Sequence, residues 1–269
     1  MPHDHDPSPP VDHRPTAPGS VSLIARWPAA SMRGELLDQG HFDQHGLVGD
    51  RLFGVWTPDD DEEPARADRF PALLGWQARY PAFHSVGDRA GLPDVDITDP
   101  HGITRGWSDP GLAAELAQTL GREVSLRRRD QGFVYFPDSV HLTFQPSLAA
   151  LVEAIGHPDL DVLRFRPNLH LDWDAPAFAE DDRTGWSLNF AGGAALRVRH
   201  PCERCVIPTR NSSDPKDRDK KMLPWLVRQR RMNFGVIADV ITPGAIRAGE
   251  AFTAVPATQT PEPAETEDS

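Results

Sequence analysis

Both cysteines of this 269-residue chain lie in one short segment, His200-Pro-Cys-Glu-Arg-Cys-Val-Ile-Pro-Thr209. Cys202 and Cys205 sit three apart, beside a histidine, a glutamate and an arginine, directly after a strand-like run. Two thiols together and none elsewhere point to a local chemical task rather than a disulfide framework. A structural zinc site needs about four ligands, usually in two pairs, and only one pair exists. A redox pair of the thioredoxin kind should open a helix whose N-terminus lowers the thiol pKa, whereas Val206-Ile-Pro208 reads as extended. A third option is a single thiolate that binds a soft metal centre or carries sulfur. Arg204 would then stabilise the thiolate and attract an anionic ligand. The blandest option is two small buried hydrophobes. Clustering, polarity and flanking prolines weigh against it, and the residues alone leave the options open.

Arginines near glycine and proline turns are the other chemical signal. Gly49-Asp-Arg51 places an arginine after a glycine turn. Arg164-Phe-Arg166-Pro-Asn168 places two arginines on one face of a segment read as extended. Such arginines suit bidentate capture of phosphate or carboxylate, although salt bridging at strand edges is the ordinary alternative. Asn168 after Pro167 suits a turn. The chain has no Gly-x-Ser-x-Gly elbow, P-loop, dinucleotide fingerprint or His-Glu-x-x-His motif. The basic stretch from Lys216 to Arg231 reads as a solvated face, and Trp186 and Trp225 as core.

Short strands with Gly and Pro turns must position these groups. They are expected at Val21–Ala25, Gly34–Asp38, Asp50–Trp56, Ala78–Val86, Asp94–Thr98, Val124–Arg129, Ser139–Phe144, Arg164–Trp173, Ala194–Arg199, Phe234–Ile241 and Ala251–Val255. Helical spacing of Leu112, Leu116 and Leu120 predicts a helix over Gly111–Leu120. A second is expected over Ser147–Ile155 with Ser147 as N-cap, and a third, basic one over Met222–Met232. The fold class is mainly β with a few packed helices. Residues 1–20 and 256–269, rich in Pro or in Pro, Thr and Glu, read as disordered tails.

The net charge is −12, part of it in those tails, which disfavours nonspecific nucleic-acid binding. No apolar stretch approaches the roughly 20 residues of a membrane helix. The N-terminus lacks a secretory pattern, and two cysteines suit a reducing compartment, so a cytoplasmic location is expected, with no membrane and no nucleic-acid partner.

In order and spacing, these landmarks resemble the MOSC family, named for the C-terminal domain of molybdenum-cofactor sulfurase. They are Ile24-Ala-Arg-Trp-Pro28, Gly46-Leu-Val-Gly-Asp-Arg51, Ser139-Val-His-Leu-Thr-Phe144 with Ser147-Leu148, and Arg164-Phe-Arg-Pro-Asn168. Pro201-Cys-Glu-Arg-Cys205, Phe234-Gly235 and Gly244-Ala-Ile-Arg-Ala-Gly249 follow. The resemblance implies an N-terminal β-barrel domain over 21–110 and a MOSC β-barrel domain over 111–255. It also implies the molybdenum cofactor, molybdopterin, and a likeness to amidoxime-reducing proteins, which reduce N-hydroxylated compounds. On that resemblance Cys205 would ligate molybdenum and be the catalytic residue, with Cys202 a neighbour. Arg51 and Arg166 would bind the cofactor, Ser31 and Asn168 would hydrogen-bond it, and Arg204, Asp138 and Ser139 would line the pocket. Electrons for a small-molecule substrate would come from a separate flavin or iron–sulfur partner, since no cysteine follows Cys205. Reductive relatives carry Pro-x-Lys-Ser where this chain has Pro28-Ala-Ala-Ser31, so Arg33 or Arg26 would have to supply the charge missing at Ala30. The same departure motivates an alternative, a non-redox carrier of cofactor or sulfur on Cys205.

Overall fold

The structure is a computed structural model that describes residues 17–60, 62–81, 89, 91–129, 139–212 and 214–256. In chain order the strands are β1 (Ala17–Arg26), β2 (Glu35–Leu37), β3 (Gln39–Asp43), β4 (Gly46–Leu47), β5 (Phe53–Trp56), β6 (Gln77–Arg79), β7 (Asp96–Thr98) and β8 (Thr104–Gly106). Helix α1 (Pro110–Leu120) and β9 (Ser125–Arg128) follow, then β10 (Val140–Phe144), α2 (Gln145–Ile155), β11 (Leu169–Trp173), β12 (Ser187–Phe190) and β13 (Ala195–Glu203). Helix α3 (Met222–Arg230), β14 (Asn233–Thr242), β15 (Gly244–Arg247) and β16 (Ala251–Val255) complete the order. The fold is mainly β, as the sequence predicts.

Seven strands close a barrel in the order β1-β11-β10-β14-β13-β12-β16 and back to β1, with β2 flanking the C-terminal end of β1. Closure leaves these seven no free edge. Leu169, Leu171 and Trp173 alternate along β11 into a core shared with Val21, Ile24, Leu142, Leu196 and Val236, all nearly inaccessible. β1 also runs antiparallel to β11, with a register shift between Val21 and Leu23. The first stave therefore comes from a segment far upstream of the others.

A second core gathers Met32, Leu52, Phe53, Trp76, Trp107, Leu112 and Leu116 beneath the small sheets β5–β9 and β6–β7–β8. Phe53 meets Trp107 edge-on at 5.0 Å. α1 is bounded as its sequence dictates. Asp109 accepts the Gly111 N–H at 2.7 Å, Pro110 opens the first turn, and Gly121 ends it at φ 68°.

Several local expectations need correction. β1 begins at Ala17, four residues before Val21. Ser147 does not cap α2; Phe144 holds the cap position, and Ser147 Oγ donates to Glu180 and accepts the Phe178 N–H. Arg164–Trp173 is not one strand. Val162–Phe165 is a 3-10 turn capped by Asp161, Arg166 turns left-handed, and β11 starts at Leu169. Ile207–Thr209 is a short 3-10 turn rather than extended chain, and β13 runs on to Glu203. Residues 82–86 of the expected Ala78–Val86 strand lie outside the described residues, as do the tails except 17–20 and 256.

Candidate functional site

Cys205 and Cys202 part company where β13 ends. Cys202 is still in the strand and 2% exposed, whereas Cys205 lies beyond it and is exposed. Arg204, between them, turns inward and is buried. Its Nη1 donates to Cys202 Sγ at 3.0 Å and to His141 Nε2 at 3.2 Å, and its Nη2 donates to the Phe165 carbonyl at 2.7 Å. Its backbone N–H reaches the Met232 carbonyl, which ties this corner to the start of β14.

His141, on β10, joins Arg204 to the Val162–Phe165 turn. With Nε2 accepting from Arg204, Nδ1 carries the proton and donates to the Arg166 carbonyl at 3.3 Å. Burial, followed by the charge of Arg204, holds this histidine well below its ordinary range, so the ring is neutral.

Asn168 pins three barrel strands. Its Oδ1 accepts the His141 N–H at 3.0 Å, its Nδ2 donates to the Ala25 carbonyl at 3.4 Å, and its own N–H donates to the His141 carbonyl at 2.7 Å. Arg51 reaches this node from the upstream loop. Its Nη1 approaches Asn168 Oδ1 at 3.5 Å and its Nη2 donates to the Arg166 carbonyl at 3.3 Å, while Asp50 pairs with it. Asp50 also accepts the Trp27 N–H at 2.7 Å.

Arg166 is half-buried, 4.3 Å over the Trp27 ring, with Nη1 donating to the Met32 carbonyl at 2.6 Å. Trp27 Nε1 is fixed in turn by the Pro167 carbonyl at 2.8 Å. Burial and the neighbouring charge of Arg51 pull Arg166 down to about 9, while Asp50 and Cys205 oppose them. It therefore keeps its charge at neutral pH, and Cys205 is among the groups whose charge acts on it. Asp50 is the one carboxylate paired with the Arg51, Arg166 and Arg204 group among the described residues. The region is left with excess positive charge, although the chain as a whole is acidic.

Ser31, Arg51 and Arg166 share a backbone feature: φ is 66°, 51° and 55°, the left-handed region that side chains resist. Each such residue costs on the order of 1 kcal/mol or more and persists where the surroundings enforce it. For Arg166 one holding contact is its own N–H donating to the Leu163 carbonyl at 3.0 Å, and it holds against the extended backbone that the following Pro167 favours.

Beside this node opens a cavity of about 250 Å³ lined by Trp27, Arg33, Arg164, Arg166, Ile207 and Arg210. Ile207 lies two residues past Cys205. None of the four arginines has a carboxylate within ion-pair distance among the described residues. Two acids, Glu35 and Asp161, also line the cavity, and each has a partner of its own. Glu35 holds Arg26 at 2.8 Å, and Asp161 accepts the Leu163 N–H. Arg26 is thereby committed, and Arg33 is the cation that reaches the cavity.

The structure thus brings together Arg51, Arg166, Asn168 and Arg204, with Cys205 next in the chain after Arg204. The Ser31 hydroxyl instead donates to the Ala65 carbonyl and accepts the Ala67 N–H, and Ser31 meets the node only through its neighbour Met32. Ser139 lies at the start of β10 beside Gly46. Asp138 is outside the described residues. His141, Trp27 and Arg210 belong to this candidate site by contact or cavity lining, and sequence reasoning did not single them out. His141 was visible within the Ser139–Phe144 landmark, but a lone strand histidine carries no signal of its partners. Among the described residues no group of three or more His, Cys, Asp or Glu could hold a metal.

A comparison with curated proteins gives no match. Among solved structures, the YUAD protein from Bacillus subtilis is similar over 89% of this chain and 97% of its own, at 14% identity and a TM-score of 0.48. YiiM from Geobacillus stearothermophilus is similar over 49% of this chain and 67% of its own, at 18% identity and a TM-score of 0.33. The MOSC domain family model matches residues 137–253, which hold β10 to β14, the arginine turn and both cysteines, and the chain carries a MOSC domain over that stretch.

Proposed function

We propose that this chain binds the molybdenum cofactor beside Cys205 and reduces N–O bonds of N-hydroxylated compounds, taking electrons from a separate flavin or iron–sulfur partner. MOSC domains are associated in general with that cofactor. The observation that carries the reading is the pairing of one exposed thiol with a preorganised, carboxylate-poor arginine cluster.

The residues fit such a group. Arg204 Nε is buried without a partner, the four cavity guanidinia have no carboxylate within ion-pair distance among the described residues, and the one exposed cysteine lies two residues before Ile207 of the cavity wall. Cys205 would be the protein thiolate on the metal, and Arg166, Arg51 and Arg33 would hold the anionic end. When bound, the cofactor supplies the two-electron chemistry that removes oxygen from the substrate. The chain's own residues orient and shield. Trp27 and the Met32 carbonyl fix the Arg166 guanidinium before any ligand arrives, so little ordering is needed on binding. Neutral His141 holds Arg204 against Cys202, which keeps the buried thiol turned away and leaves Cys205 as the accessible one. Arg33 supplies a cation near the place where Ala30 supplies none.

The alternative carrier role uses the same thiol and rests on Ala30. One experiment separates them: expression in a cofactor-competent host, with molybdenum content and reduction of a benzamidoxime by an artificial one-electron donor measured on wild type and Cys205→Ala. Stoichiometric metal with turnover, both lost in the variant, is the expected result. Metal or a persulfide mass increment on Cys205 without turnover supports the carrier, and wild type without metal overturns cofactor binding.

A further inference from the structure

Helix α3 carries no acidic residue. The stretch around it, Lys216 to Arg231, sets seven Lys or Arg against two Asp, a net of +5 in a chain of −12. One side of the helix is buried. Met222 and Leu226 are nearly inaccessible, and Trp225 lies against Phe178 at 5.9 Å. The other side is an exposed stripe. Pro224, Val227, Arg228 and Arg231 recur at helical spacing on one face, and Lys220 precedes them by one turn. Val227 is 51% exposed, with the two arginines beside it.

Two of the seven cations are committed. Arg230 pairs with Asp181, and Lys221 Nζ donates to the Ile155 carbonyl at 3.1 Å. Lys220, Arg228 and Arg231 have no carboxylate within ion-pair distance among the described residues. Asp219, the nearest acid in the chain, bonds to His157 and to the Lys221 and Met222 N–H groups. The helix dipole accounts for Arg228 and Arg231 at the C-terminal end but opposes Lys220 at the N-terminal end, so helix stability does not explain the whole stripe. The stripe also ends at the thiol loop. Met232 N–H donates to the Leu226 carbonyl at 3.0 Å, and the Met232 carbonyl accepts the Arg204 N–H at 2.8 Å. Arg231 and Cys205 therefore each stand one residue from that last bond.

We propose that this face of α3 docks a small acidic electron-carrier protein beside Cys205. The proposal rests on the redox reading above and adds where the partner sits and what charge it carries. Reduction of one N-hydroxyl group takes two electrons and two protons and releases water. A carrier that gives up one electron per visit must dock, be oxidised, leave and be replaced. A small, salt-sensitive contact suits that cycle better than a large apolar one. A nine-residue helix with one exposed valine between basic side chains has that form. An extended anionic surface, membrane or nucleic acid, fits less well. It would face the acidic remainder of the chain as well as the stripe, and Trp225 is packed on Phe178 rather than turned outward to enter lipid.

The test is the affinity of the full chain, free of molybdenum, for a plant-type iron–sulfur ferredoxin and for a flavodoxin, both acidic, with anionic-lipid vesicles and a DNA duplex as comparisons. At least one carrier is expected to bind, about tenfold or more weakly as salt rises from about 50 to about 300 mM. Lys220→Glu and Arg228→Glu together should weaken binding about tenfold or more with thermal stability retained, while Arg247→Glu, an exposed charge reversal on β15, should change it less than about twofold. Lys220, Arg228 and Arg247 do not line the arginine cavity, so the variants leave the anion site intact. If Arg228→Glu folds poorly, Lys220→Glu, which the helix dipole favours, still decides. Binding of neither carrier, equal weakening by Arg247→Glu, or tighter binding to vesicles or DNA overturns the docking face. Benzamidoxime reduction with an artificial donor but no carrier binding counts against this face alone. Carrier binding without any reduction counts against the redox reading and leaves the acidic-partner face standing.

Discussion

Arg204 donates through Nη1 to Nε2 of His141 across 3.2 Å, which requires an imidazole with no proton on that nitrogen. The two residues are distant in sequence and meet because β10 and β13 both flank β14 in the barrel. Through the imidazole, whose other nitrogen faces the Arg166 carbonyl, this contact couples the cysteine loop to the Arg166 turn, beside the direct bond from Arg204 Nη2 to the Phe165 carbonyl.

Protonation of His141 would break that coupling, and stability should record it. The unfolded chain takes up a proton near the ordinary histidine value of about 6.5, whereas the folded ring resists it until well below. Between those points the unfolded state binds more protons, so this contribution to stability is complete above about 6.5 and falls as pH drops. Urea unfolding from pH 7.5 to 5 should show a smaller loss in His141→Gln than in wild type. His141→Ala should cost about 1–3 kcal/mol at pH 7.5, because it leaves the Arg204 donor without that acceptor. Parallel pH profiles for wild type and His141→Gln would refute a neutral, buried ring.

Gly235 holds β14 close enough to β10 for these contacts. Its φ is 73°, and an added Cβ would stand 2.3 Å from the Leu142 carbonyl oxygen and 3.1 Å from His141 Nε2. Both the left-handed backbone and the close approach require glycine. Gly235→Ala is expected to destabilise by roughly 2–5 kcal/mol, combining backbone strain with overpacking. Chemical denaturation checks it, and a loss under 1 kcal/mol would mean that the strands are not in this register.

The sequence exposes what is local and chemical. Cys205, Arg51 and Arg166 stand out by type and turn context as candidates, Asn168 joins them only through the family resemblance, and α1 is legible by its cap, its proline and its terminal glycine. The turn before β11 is misread because Leu163 and Phe165 alternate with Arg164 and Arg166 as a strand would, while the deciding groups are the Asp161 cap and the left-handed Arg166. Ser147 looks like a cap by type, but its hydroxyl has a stronger claim from buried Glu180, more than thirty residues downstream. His141 and the closure of the barrel by β1 are invisible for the same reason. Each depends on partners that only the folded barrel brings near.

The two cysteines should differ sharply as reagents. Cys205 is exposed, and Cys202 is 2% exposed with Arg204 against its sulfur. A thiol-specific chromogenic reagent is expected to modify one thiol per native chain quickly and two in denaturant. Cys205→Ser should lose the fast phase and keep the slow one. Two fast thiols in the native wild type would show that Cys202 is not sheltered in β13.

Glu180 provides the opposite pH signature. It is 1% exposed, its Oε2 accepts from Ser147 Oγ at 2.9 Å, and its Oε1 is buried with no partner. Burial is the main cause that pushes its carboxyl up to about 7, against the downward pull of the Ser147 hydrogen bond. The folded chain therefore keeps this proton up to about pH 7, whereas the unfolded chain releases it near 4.5. The contribution to stability is complete below about 4.5 and lost as pH rises through about 7, a swing of roughly 3 kcal/mol for a shift of this size. Glu180→Gln keeps an acceptor for Ser147 and cannot ionise. Its stability relative to wild type should therefore improve by about that amount between pH 5 and 8.5, whatever the offset at pH 5. The direction is opposite to that of His141, so the two variants measured over one pH series separate the carboxyl beside α2 from the imidazole behind the cysteine loop. A constant difference between Glu180→Gln and wild type across the range would mean that the Glu180 carboxylate reaches water.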